Sequence, residues 1–523
     1  MVRSTSQPCA MNFFCRLLLI WVSSASFQQS AANEWNQFRG PNGSGVLEGA
    51  RPPIRFDGQD PTWHQAIPSG HASPVLWGQR LFLTGLEEGL LQTLCLDTRS
   101  GHLLWKQQAP KVTLASHHKA SSPAASTPCV DEQRVYVYFD SFGLLCYDHE
   151  GNEIWKRPIP TPKSLYGMSS SPITSNGKVF LVLDNDLKLP ESQLRQSKLM
   201  ALDGATGEIL WETPRPYQKS GWSTPALWAH GGKEELVVLG NGRAYGYDLQ
   251  EGKELWYVNG FSRETIAVPI MDEERLFLSA ARQGGAGDEV IDPEPFWSSL
   301  LTFDQDQDGR ISKEEITDLF TLPIRPELPI EHPGFGIPLP KDPEQRRKRQ
   351  ADLFGWRDKN QDGFLSKEEF VSEMMIGSGR PHLCAITPGG RGDITQTHIA
   401  WSLHRGIPEI PSPVVYEDRL YLLRSGGMLS GVDTVTGRML FQERLGASGQ
   451  YSASPIRVDQ HLLAISESGI LSVIPLKGPF QVAHQTSLNG SVHATPAMDM
   501  VTLYIRTTEA LLAFRGEASF PPK

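Results

Sequence analysis

Short apolar runs alternate with polar, glycine-containing turns along most of the chain. The segment 199–211 shows the unit: an apolar run leads into Asp203, a tight turn ends at Gly207, and a second run ends at Trp211. An aspartate side chain can accept hydrogen bonds from a turn backbone, and a glycine can adopt the positive φ that closes a bulged hairpin. The pattern therefore predicts a β-hairpin over 199–211.

The same hairpin recurs along the chain as part of a longer repeat. Each repeat opens with Ser-Pro, Thr-Pro or a close variant, contains short apolar strands, and usually ends at a large aromatic residue. The opening prolines are Pro74, Pro128, Pro172, Pro225, Pro269, Pro413, Pro455 and Pro496. They follow one another at roughly 40–55 residues, apart from one gap that is about a hundred residues longer. A period of about 40–50 residues with four strands per repeat indicates a β-propeller.

The two ends of the repeat region predict how the ring closes. The eighth repeat stops after its third strand, near Phe514, whereas the segment 62–67 resembles a fourth strand that has no upstream partner. We expect this N-terminal strand to complete the eighth blade, because closure removes the free sheet edges that promote aggregation. The sequence therefore predicts an all-β, eight-bladed propeller closed by an N-terminal strand, formed by residues 33–280 and 382–523.

The long fifth repeat contains an insert, residues 281–381, between its second and third strands. Two segments of this insert, 304–315 and 358–369, match the EF-hand loop, which places side-chain oxygens at positions 1, 3 and 5, a carbonyl at position 7 and a bidentate glutamate at position 12. The predicted ligands are Asp304, Asp306, Asp308, Arg310 (through its carbonyl) and Glu315 in the first loop, and Asp358, Asn360, Asp362, Phe364 (through its carbonyl) and Glu369 in the second. We therefore predict two Ca²⁺ sites.

Apolar residues at helical spacing flank both loops, so the insert is predicted to be an α-helical EF-hand pair. We expect Ile311 and Leu365 to join the two loops through a short β-bridge. A proline-rich connector around 323–343 separates the two hands more widely than usual. Because Ca²⁺ is usually abundant outside the cytoplasm, a structural role for the ions is favoured over a regulatory switch.

The overall composition limits the classes of partner. The formal net charge is −10, an acidic balance that argues against nucleic acids and anionic membranes as partners. The cysteines after position 32 are widely spaced and form neither CxxC nor CxxCH, so we expect buried thiols rather than a zinc, redox or haem site. They are Cys95, Cys129, Cys146 and Cys384.

Residues 1–32 have the features of a secretory signal. A basic residue precedes the apolar run 17–22, and small residues that suit cleavage end the segment. The run is too short to span a bilayer, so no transmembrane segment is expected after signal removal. Initiation at Met11 instead of Met1 would give a more usual signal. The protein is predicted to be exported, either to the periplasm or as a secreted protein.

A candidate binding site lies at the expected mouth of the central channel. His71 of blade one and His493 of blade eight stand three residues before their opening prolines, and these two blades are neighbours in a closed ring. Trp222 holds the same position in blade four, and Tyr451 lies near it in blade seven. Two imidazoles and an aromatic rim could bind a ligand or a metal ion. The alternative is a polar lining around a water-filled channel.

Two shorter motifs receive structural interpretations. The pair His117 and His118 is expected to be exposed in a loop between blades. The segment 391–393, Arg-Gly-Asp, is interpreted as the hairpin turn of blade five instead of an adhesion motif. Neither motif is assigned a chemical role.

The repeat resembles the pyrroloquinoline-quinone-type (PQQ-like) repeat family. The resemblance rests on the Asp…Gly…Trp turns and on the segments 35–41 and 388–401; with EF-hands in blade five, the chain is similar to exported propellers of planctomycete-type bacteria. It implies a propeller fold with either quinone-dependent dehydrogenase activity or a non-catalytic role in outer-membrane barrel assembly. Dehydrogenases of the family carry adjacent cysteines over the quinone and hold calcium within the propeller. This sequence has no adjacent cysteines and its calcium loops lie in the insert, which argues against bound PQQ.

We predict a binding or scaffolding protein in which Ca²⁺ orders the insert on the loop face of the propeller. The expected partner is a protein or a polymer bound on that face. A quinone-dependent oxidoreductase and a glycan- or polymer-binding propeller are the alternatives that the sequence leaves open, and no catalytic residue is assigned.

Overall fold

The computed structural model describes Met1 and residues 34–516, except 163, 165, 186–196, 216–220, 263–264, 282–293, 324–325, 327, 333–334, 359, 375–380 and the side chains of 356 and 371–374. Apart from Met1, the predicted signal segment, 1–32, lies outside the described residues. The chain divides into two units, one formed by Met1–Arg282 and Pro381–Lys523, the other by Gln283–Arg380. The first unit contains the propeller and the second contains the insert.

The described residues of the propeller unit form eight sheets of four strands, with one short additional strand on the fourth sheet. The four strands of each sheet are antiparallel, which is the arrangement of a propeller blade. The strands are numbered in chain order, and β1 (Trp63–Ala66) precedes blade one. Blade one contains β2 (Val75–Trp77), β3 (Arg80–Glu87), β4 (Leu90–Asp97) and β5 (Leu103–Gln108), and blade two contains β6 (Cys129–Val130), β7 (Arg134–Phe139), β8 (Gly143–Asp148) and β9 (Glu153–Pro158). Blade three contains β10 (Ile173–Ser175), β11 (Lys178–Leu183), β12 (Lys198–Asp203) and β13 (Ile209–Pro214), and blade four contains β14 (Ala226–His230), β15 (Lys233–Leu239), β16 (Arg243–Asp248) and β17 (Glu254–Asn259).

Blade five is interrupted by the insert, whose strands are β20 to β23, and the later blades follow without interruption. Blade five contains β18 (Ile270–Met271), β19 (Leu276–Ala280), β24 (His382–Ile386) and β26 (Ile399–Leu403), and the additional strand of the fourth sheet is β25 (Gly392–Asp393). Blade six contains β27 (Val414–Tyr416), β28 (Arg419–Arg424), β29 (Met428–Asp433) and β30 (Met439–Arg444), and blade seven contains β31 (Ile456–Val458), β32 (His461–Ile465), β33 (Ile470–Pro475) and β34 (His484–Ser487). Blade eight contains β35 (Ala497–Met498), β36 (Thr502–Arg506) and β37 (Ala510–Arg515). Because β19 pairs with β24, the insert lies between the second and third strands of blade five, as predicted.

The N-terminal strand completes the last blade. β1 pairs with β37, the third strand of blade eight, in the register that places Trp63 opposite Ala513. The Trp63 indole donates a hydrogen bond to the carbonyl of Thr98 in blade one at 3.2 Å. The prediction of an eight-bladed ring closed by its N-terminal strand is confirmed.

Tryptophans on the outer strands connect one blade with the next. In blade two, the Trp155 indole donates to the Gly204 carbonyl of blade three at 2.9 Å and covers Gly207, where an added Cβ would lie 2.6 Å from the ring. Gly207 has φ of 71°, and Asp203 Oδ1 accepts the backbone N–H of Thr206 at 2.8 Å. The same indole-on-glycine contact occurs in the pairs Trp63–Gly101, Trp105–Gly151, Trp211–Gly252 and Trp401–Gly437. The predicted hairpin turn therefore both reverses the chain and receives the indole of the preceding blade.

Blade four departs from this pattern where it meets blade five. Within the segment 391–393, β25 adds a short parallel strand to β17, the outer strand of blade four. Trp256 on β17 is fully buried and donates to the buried Glu235 carboxylate at 2.6 Å, and Arg391 binds the other carboxylate oxygen at 2.9 Å. The interpretation of 391–393 as a simple hairpin turn is therefore corrected: the longer connection extends the neighbouring blade.

The segment 35–51 closes one end of the central channel. The Trp35 carbonyl accepts the backbone N–H of Leu76 in blade one at 2.7 Å, and Asn42 exchanges two hydrogen bonds with Leu227 in blade four. Further hydrogen bonds to blades two, six, seven and eight join Asn36–Val130, Arg39–Pro413, Gly45–Arg457 and Arg51–Met500. Because these partners surround the propeller axis, the segment crosses the channel and forms the floor of a central cavity.

The insert unit has its own hydrophobic core. Its elements are α1 (Glu294–Leu300), a 3₁₀ turn (Leu301–Phe303), β20 (Ile311–Ser312), β21 (Thr321–Pro323), β22 (Gly336–Pro338), α2 (Pro343–Arg357), β23 (Phe364–Leu365) and α3 (Lys367–Met374). Trp297, Leu300, Ile316, Phe354 and Phe370 are buried together from all three helices and the first loop. None of the helices in the described residues has the length and apolar character needed to cross a membrane.

Candidate functional site

The first calcium loop of the insert holds its carboxylates close together. Ligand oxygens of Asp304, Asp306 and Glu315 lie within 4.8 Å of one another. The buried Glu315 accepts the backbone N–H groups of Gln305 at 2.6 Å and Ser312 at 2.8 Å. Burial alone would raise the pKa of Glu315, but these hydrogen bonds hold the pKa below its usual value. The carboxylate is therefore ionised at neutral pH and suited to a cation.

The second loop repeats the same hydrogen-bond network. Gly363 donates its backbone N–H to Asp358 at 3.0 Å, and Ser366 donates its backbone N–H to Glu369 at 3.0 Å. The glycine and serine at the same positions of the first loop make the equivalent bonds at 2.9 and 2.8 Å. The two loops are thus folded alike, with the oxygen-rich donor set that Ca²⁺ prefers.

A short β-bridge joins the two loops. Ile311 on β20 pairs with Leu365 on β23, and both side chains are buried in the core of the insert. This is the pairing that the sequence predicts, and it forms despite the long connector between the hands. Asp358, Asn360 and Asp362 therefore belong to the same folded unit as the first loop.

Arg310 links the two loops through its side chain. Its guanidinium binds Asp308 at 2.8 Å, lies 4.0 Å from Asp362, and covers the ring of Phe364 at 3.8 Å from the centroid. Asp308 and Asp362 are predicted ligands at position 5 of their loops. The guanidinium would therefore compete with a bound cation for these carboxylates of both loops.

Replacing Arg310 with glutamine is expected to increase the Ca²⁺ affinity of the first loop about threefold to tenfold. The substitution removes a cation from the carboxylates while the backbone carbonyl of residue 310 remains available. Calorimetric Ca²⁺ titration measures the change, and the gain should shrink as KCl is raised. The control is Lys348→Gln, which removes an exposed cation from α2. An equal gain in the control would show that only net charge matters.

A ring of hydroxyl groups surrounds the central cavity of the propeller. The residue before an opening proline accepts a backbone N–H from the preceding blade: Thr127 accepts from Ser73 at 2.9 Å, and Ser171 accepts from Thr127 at 2.9 Å. The other hydroxyls of this hydroxyl ring are those of Thr224, Ser412, Ser454, Thr495 and Ser73. Blade five has Val268 at this position, so the ring is interrupted there. The Ser/Thr-Pro pattern was the signal for this feature, although on its own it marks only the start of each repeat.

The structure brings three of the predicted channel residues to the wall of this cavity. The rings of His71 and His493 stack with centroids 4.5 Å apart. Trp222 donates its indole N–H to the Gly167 carbonyl at 2.7 Å and packs edge-on against Tyr166, with centroids 5.4 Å apart. These residues and the hydroxyl ring line a cavity of about 220 Å³.

Tyr451 does not belong to this wall. Its side chain is fully buried, and its hydroxyl donates to the Ala447 carbonyl at 3.0 Å. It packs with Tyr421 and Leu462, so it fills the core between blades six and seven. The position of Tyr451 near the repeat boundary in the sequence did not reveal that its ring packs into this core instead of lining the cavity.

Arg506 is a buried cation beside the cavity that the sequence pattern did not single out. At the end of β36, its guanidinium donates to the carbonyls of Ala72 and Thr84 at 2.8 Å and of Pro68 at 2.9 Å. Burial lowers the pKa of Arg506 to about 9. Because Pro68 and Ala72 precede blade one and Thr84 lies on its strand β3, Arg506 connects the last blade to the first.

His117 is not exposed as expected. Its Nε2 lies 2.8 Å from Asp140 Oδ2, its Nδ1 lies 2.7 Å from the Ala115 carbonyl, and the side chains of His117 and Asp140 are 7% and 2% exposed. Both ring nitrogens face acceptors, so a doubly protonated, positively charged ring can donate to both. Burial by itself lowers the pKa of His117, but the bond and charge of Asp140 raise the pKa above its usual value. His118, the neighbouring residue, is exposed.

The His117–Asp140 pair is expected to make stability depend on pH. Because the folded-state pKa of His117 is raised, its contribution is complete below the unfolded pKa of about 6.5 and is lost as pH rises through the folded pKa. His117→Gln should therefore lower the free energy of unfolding by about 1–3 kcal/mol at pH 5.5 and by less at pH 8.5. Urea unfolding in saturating Ca²⁺ measures this difference. His118→Gln is the control, and an equal loss at both pH values would contradict the assignment.

The lining of the central cavity bears on PQQ, the cofactor that the family resemblance implies. PQQ is a planar quinone with three carboxylates, which need cationic partners when they are desolvated. The described residues that line the cavity include no lysine and no arginine. The free cysteines are buried elsewhere in the blades, and burial raises the pKa of Cys95 to about 12. The described lining therefore does not fit PQQ, whereas the paired loops of the insert fit Ca²⁺.

Comparison with known proteins agrees with the fold and with the calcium loops. Residues 56–189 and 95–291 match the PQQ-like repeat model described as outer membrane protein assembly factor BamB, and residues 300–320 and 352–375 match the EF-hand model. Among solved structures, a europium-containing methanol dehydrogenase aligns with a TM-score of 0.52 at 8% identity, covering 92% of each chain. The Dos1 propeller aligns with a TM-score of 0.50 at 11% identity, covering 88% of this chain and 97% of that one. These structures share the fold.

The matches and the eight blades define the class: the protein is an eight-bladed β-propeller that carries an EF-hand insert, and residues 56–291 match the PQQ-like repeat model. Among curated proteins it is 25% identical, over 245 residues, to a polyvinylalcohol dehydrogenase of Sphingopyxis sp. (strain 113P3). The alignment covers 41% of this chain and 36% of that relative. The chain thus spans about a third of the relative's length.

Proposed function

We propose that the protein is an exported calcium-binding propeller with a binding or scaffolding role, in which two Ca²⁺ ions order the EF-hand insert. The observation that carries this proposal is the pair of loops with matching carboxylate networks, joined by β20 and β23. The predicted ligands of both loops would each surround one ion, and calcium would hold the three helices of the insert around one core. In this role calcium is a structural element of the insert.

The binding role is supported by the site and by the names of similar proteins. The central cavity is walled by aromatic rings and lined by hydroxyl groups, a composition suited to holding a ligand. The matched repeat model is described as an assembly factor, and the curated relative is named for a polymer. We therefore propose a protein or polymer partner on the loop face of the propeller. Export to the periplasm or secretion is supported by the pattern of residues 1–32.

A quinone-dependent oxidoreductase is the second candidate. It is favoured by the dehydrogenase name of the curated relative. Against it stands the cavity, whose described lining offers no cationic partner to a tricarboxylate. A glycan- or polymer-binding propeller is a special case of the proposed binding function, in which the ligand is a glycan or another polymer.

Titrations with Ca²⁺ and with PQQ separate these functions. The chain from residue 33 onward is expected to bind two Ca²⁺ ions in calorimetry and to leave the absorbance spectrum of added PQQ unchanged. Saturable binding of one PQQ, weakened by Trp222→Ala, would favour the oxidoreductase. Fewer than two bound Ca²⁺ ions would contradict the calcium assignment.

A further inference from the structure

The hydroxyl ring presents hydrogen-bond donors to the central cavity. Each of its members uses an oxygen lone pair to accept a backbone N–H, as Ser73 does from Thr495 at 3.0 Å. In the described part of the chain, none of these hydroxyls donates its own proton to a protein acceptor, and all of them line the cavity. A hydroxyl has one proton and two lone pairs. The protons are therefore available to a ligand.

The histidine pair presents hydrogen-bond acceptors to the same cavity. Among the described residues, the ring nitrogens of His71 have no hydrogen-bond partner, and His493 Nδ1 lies 3.8 Å from Glu467. Burial, His493 and Arg506 together lower the pKa of His71 to about 4. The His71 ring is therefore neutral at pH 7 and keeps one nitrogen with a free lone pair.

The remaining wall is uncharged and mostly apolar, with three further serines, Ser121, Ser169 and Ser452. Trp222 and Tyr166 form its aromatic part, and the described lining contains no aspartate, glutamate, lysine or arginine. A ligand that fits must combine donors and acceptors without net charge and must also have an apolar face. A pyranose ring meets these conditions, since its hydroxyls lie around the edge and its C–H groups lie on the faces. An anion would offer acceptors alone and would leave the His71 lone pair without a donor.

We propose that the central cavity binds one pyranose unit of a neutral carbohydrate. Its hydroxyls bond to the hydroxyl ring and to the His71–His493 pair, and its face packs on the wall formed by Trp222 and Tyr166. This inference rests on the proposed binding function and names the ligand class.

Saturation-transfer NMR with the calcium-loaded chain tests the proposal, using the methyl glucosides, galactosides and mannosides as probes. At least one methyl hexoside is expected to bind with a Kd of about 1 mM, the range for a ligand of this size. Glucuronate, which adds a carboxylate, is expected to bind more weakly than the matching glucoside. If no methyl hexoside shows saturable transfer, or if glucuronate binds more tightly, the inference is overturned. Two bound Ca²⁺ ions and unbound PQQ would still leave the proposed function standing.

Substitutions in the cavity lining test whether the hexoside binds there. His493→Phe keeps a ring to stack on His71 and removes the imidazole nitrogens, so it is expected to weaken hexoside binding at least tenfold. His102→Phe alters an exposed histidine in a hairpin turn outside the lining and should leave binding unchanged. Ser169→Ala removes a lining hydroxyl that is not part of the hydroxyl ring, and it should weaken binding without affecting stability. Unchanged binding in both cavity variants would overturn the proposal.

Discussion

Replacing Glu315 and Glu369 together with glutamine is expected to lower Ca²⁺ affinity about a hundredfold or more at both loops and to loosen the insert. Each glutamate is the predicted bidentate ligand at position 12 and also accepts backbone N–H groups of its own loop. A glutamine side chain has one oxygen and no charge, so it cannot coordinate through two oxygens. The double variant therefore removes both calcium coordination and the preorganisation of the loops.

Hydrogen exchange measures this effect along the chain. With calcium at a hundred to a thousand times Kd, each site stabilises the folded insert by about 3–4 kcal/mol, which the variant or a chelator removes. Peptides from 294–323 and 343–374 should then exchange faster, while propeller peptides should not, because the insert has a separate core. Glu314→Gln with Glu368→Gln is the matched control, since these exposed neighbours are not ligands. Melting of the entire ring would contradict the assignment of two separate units.

Gly207→Ala is expected to destabilise the propeller by about 3–5 kcal/mol, and Gly177→Ala by about 1–2 kcal/mol. The two glycines have φ of 71° and 72°, so both substitutions impose the same left-handed strain. An added Cβ at Gly177 meets no atom within 4 Å, whereas at Gly207 it would lie 2.6 Å from the Trp155 ring. The difference between the variants therefore isolates the contact between blades two and three.

Chemical denaturation of the calcium-loaded protein, followed by circular dichroism, measures both values. Displacement of the indole would also break the Trp155 hydrogen bond to the Gly204 carbonyl. Trp155→Ala should remove most of the difference between the two alanine variants, because no ring remains to clash. If Gly207→Ala and Gly177→Ala were equally destabilising, the indole contact would contribute nothing to blade packing.

The propeller unit and the insert unit differ in the interactions that stabilise them and in the groups that they offer to ligands. The propeller unit is held by apolar blade cores, by indoles that cover turn glycines, and by the hydroxyl ring. The buried Arg39 and Arg506 bind backbone carbonyls, at Pro413 and Ala72 respectively, whereas the buried Arg215 pairs with the Asp184 carboxylate at 2.9 Å. The insert unit carries its two carboxylate-rich loops beside a hydrophobic core of its own. The proposed calcium sites therefore lie in the insert, and the uncharged central cavity lies in the propeller.

Local patterns in the sequence were enough to predict the elements that depend on neighbouring residues. The turn from Asp203 to Gly207 is closed by hydrogen bonds within four residues, so its sequence specifies its geometry wherever it recurs. The calcium loops are local in the same way, since each brings its ligands together within twelve residues. Periodicity then determined the number of blades, and the missing fourth strand of blade eight indicated that β1 closes the ring.

Tertiary structure alone decided the features made by residues far apart in the chain. The segment 35–51 crosses the channel by bonding to six blades, and no local pattern specifies those partners. His117 is buried because Asp140 and Gly167 lie against it, and Tyr451 is turned into a core instead of the cavity. Each of these outcomes depends on where a blade places a neighbour. Sequence by itself determined the repeat, its closure and the calcium loops, whereas long-range packing decided which side chains face the cavity.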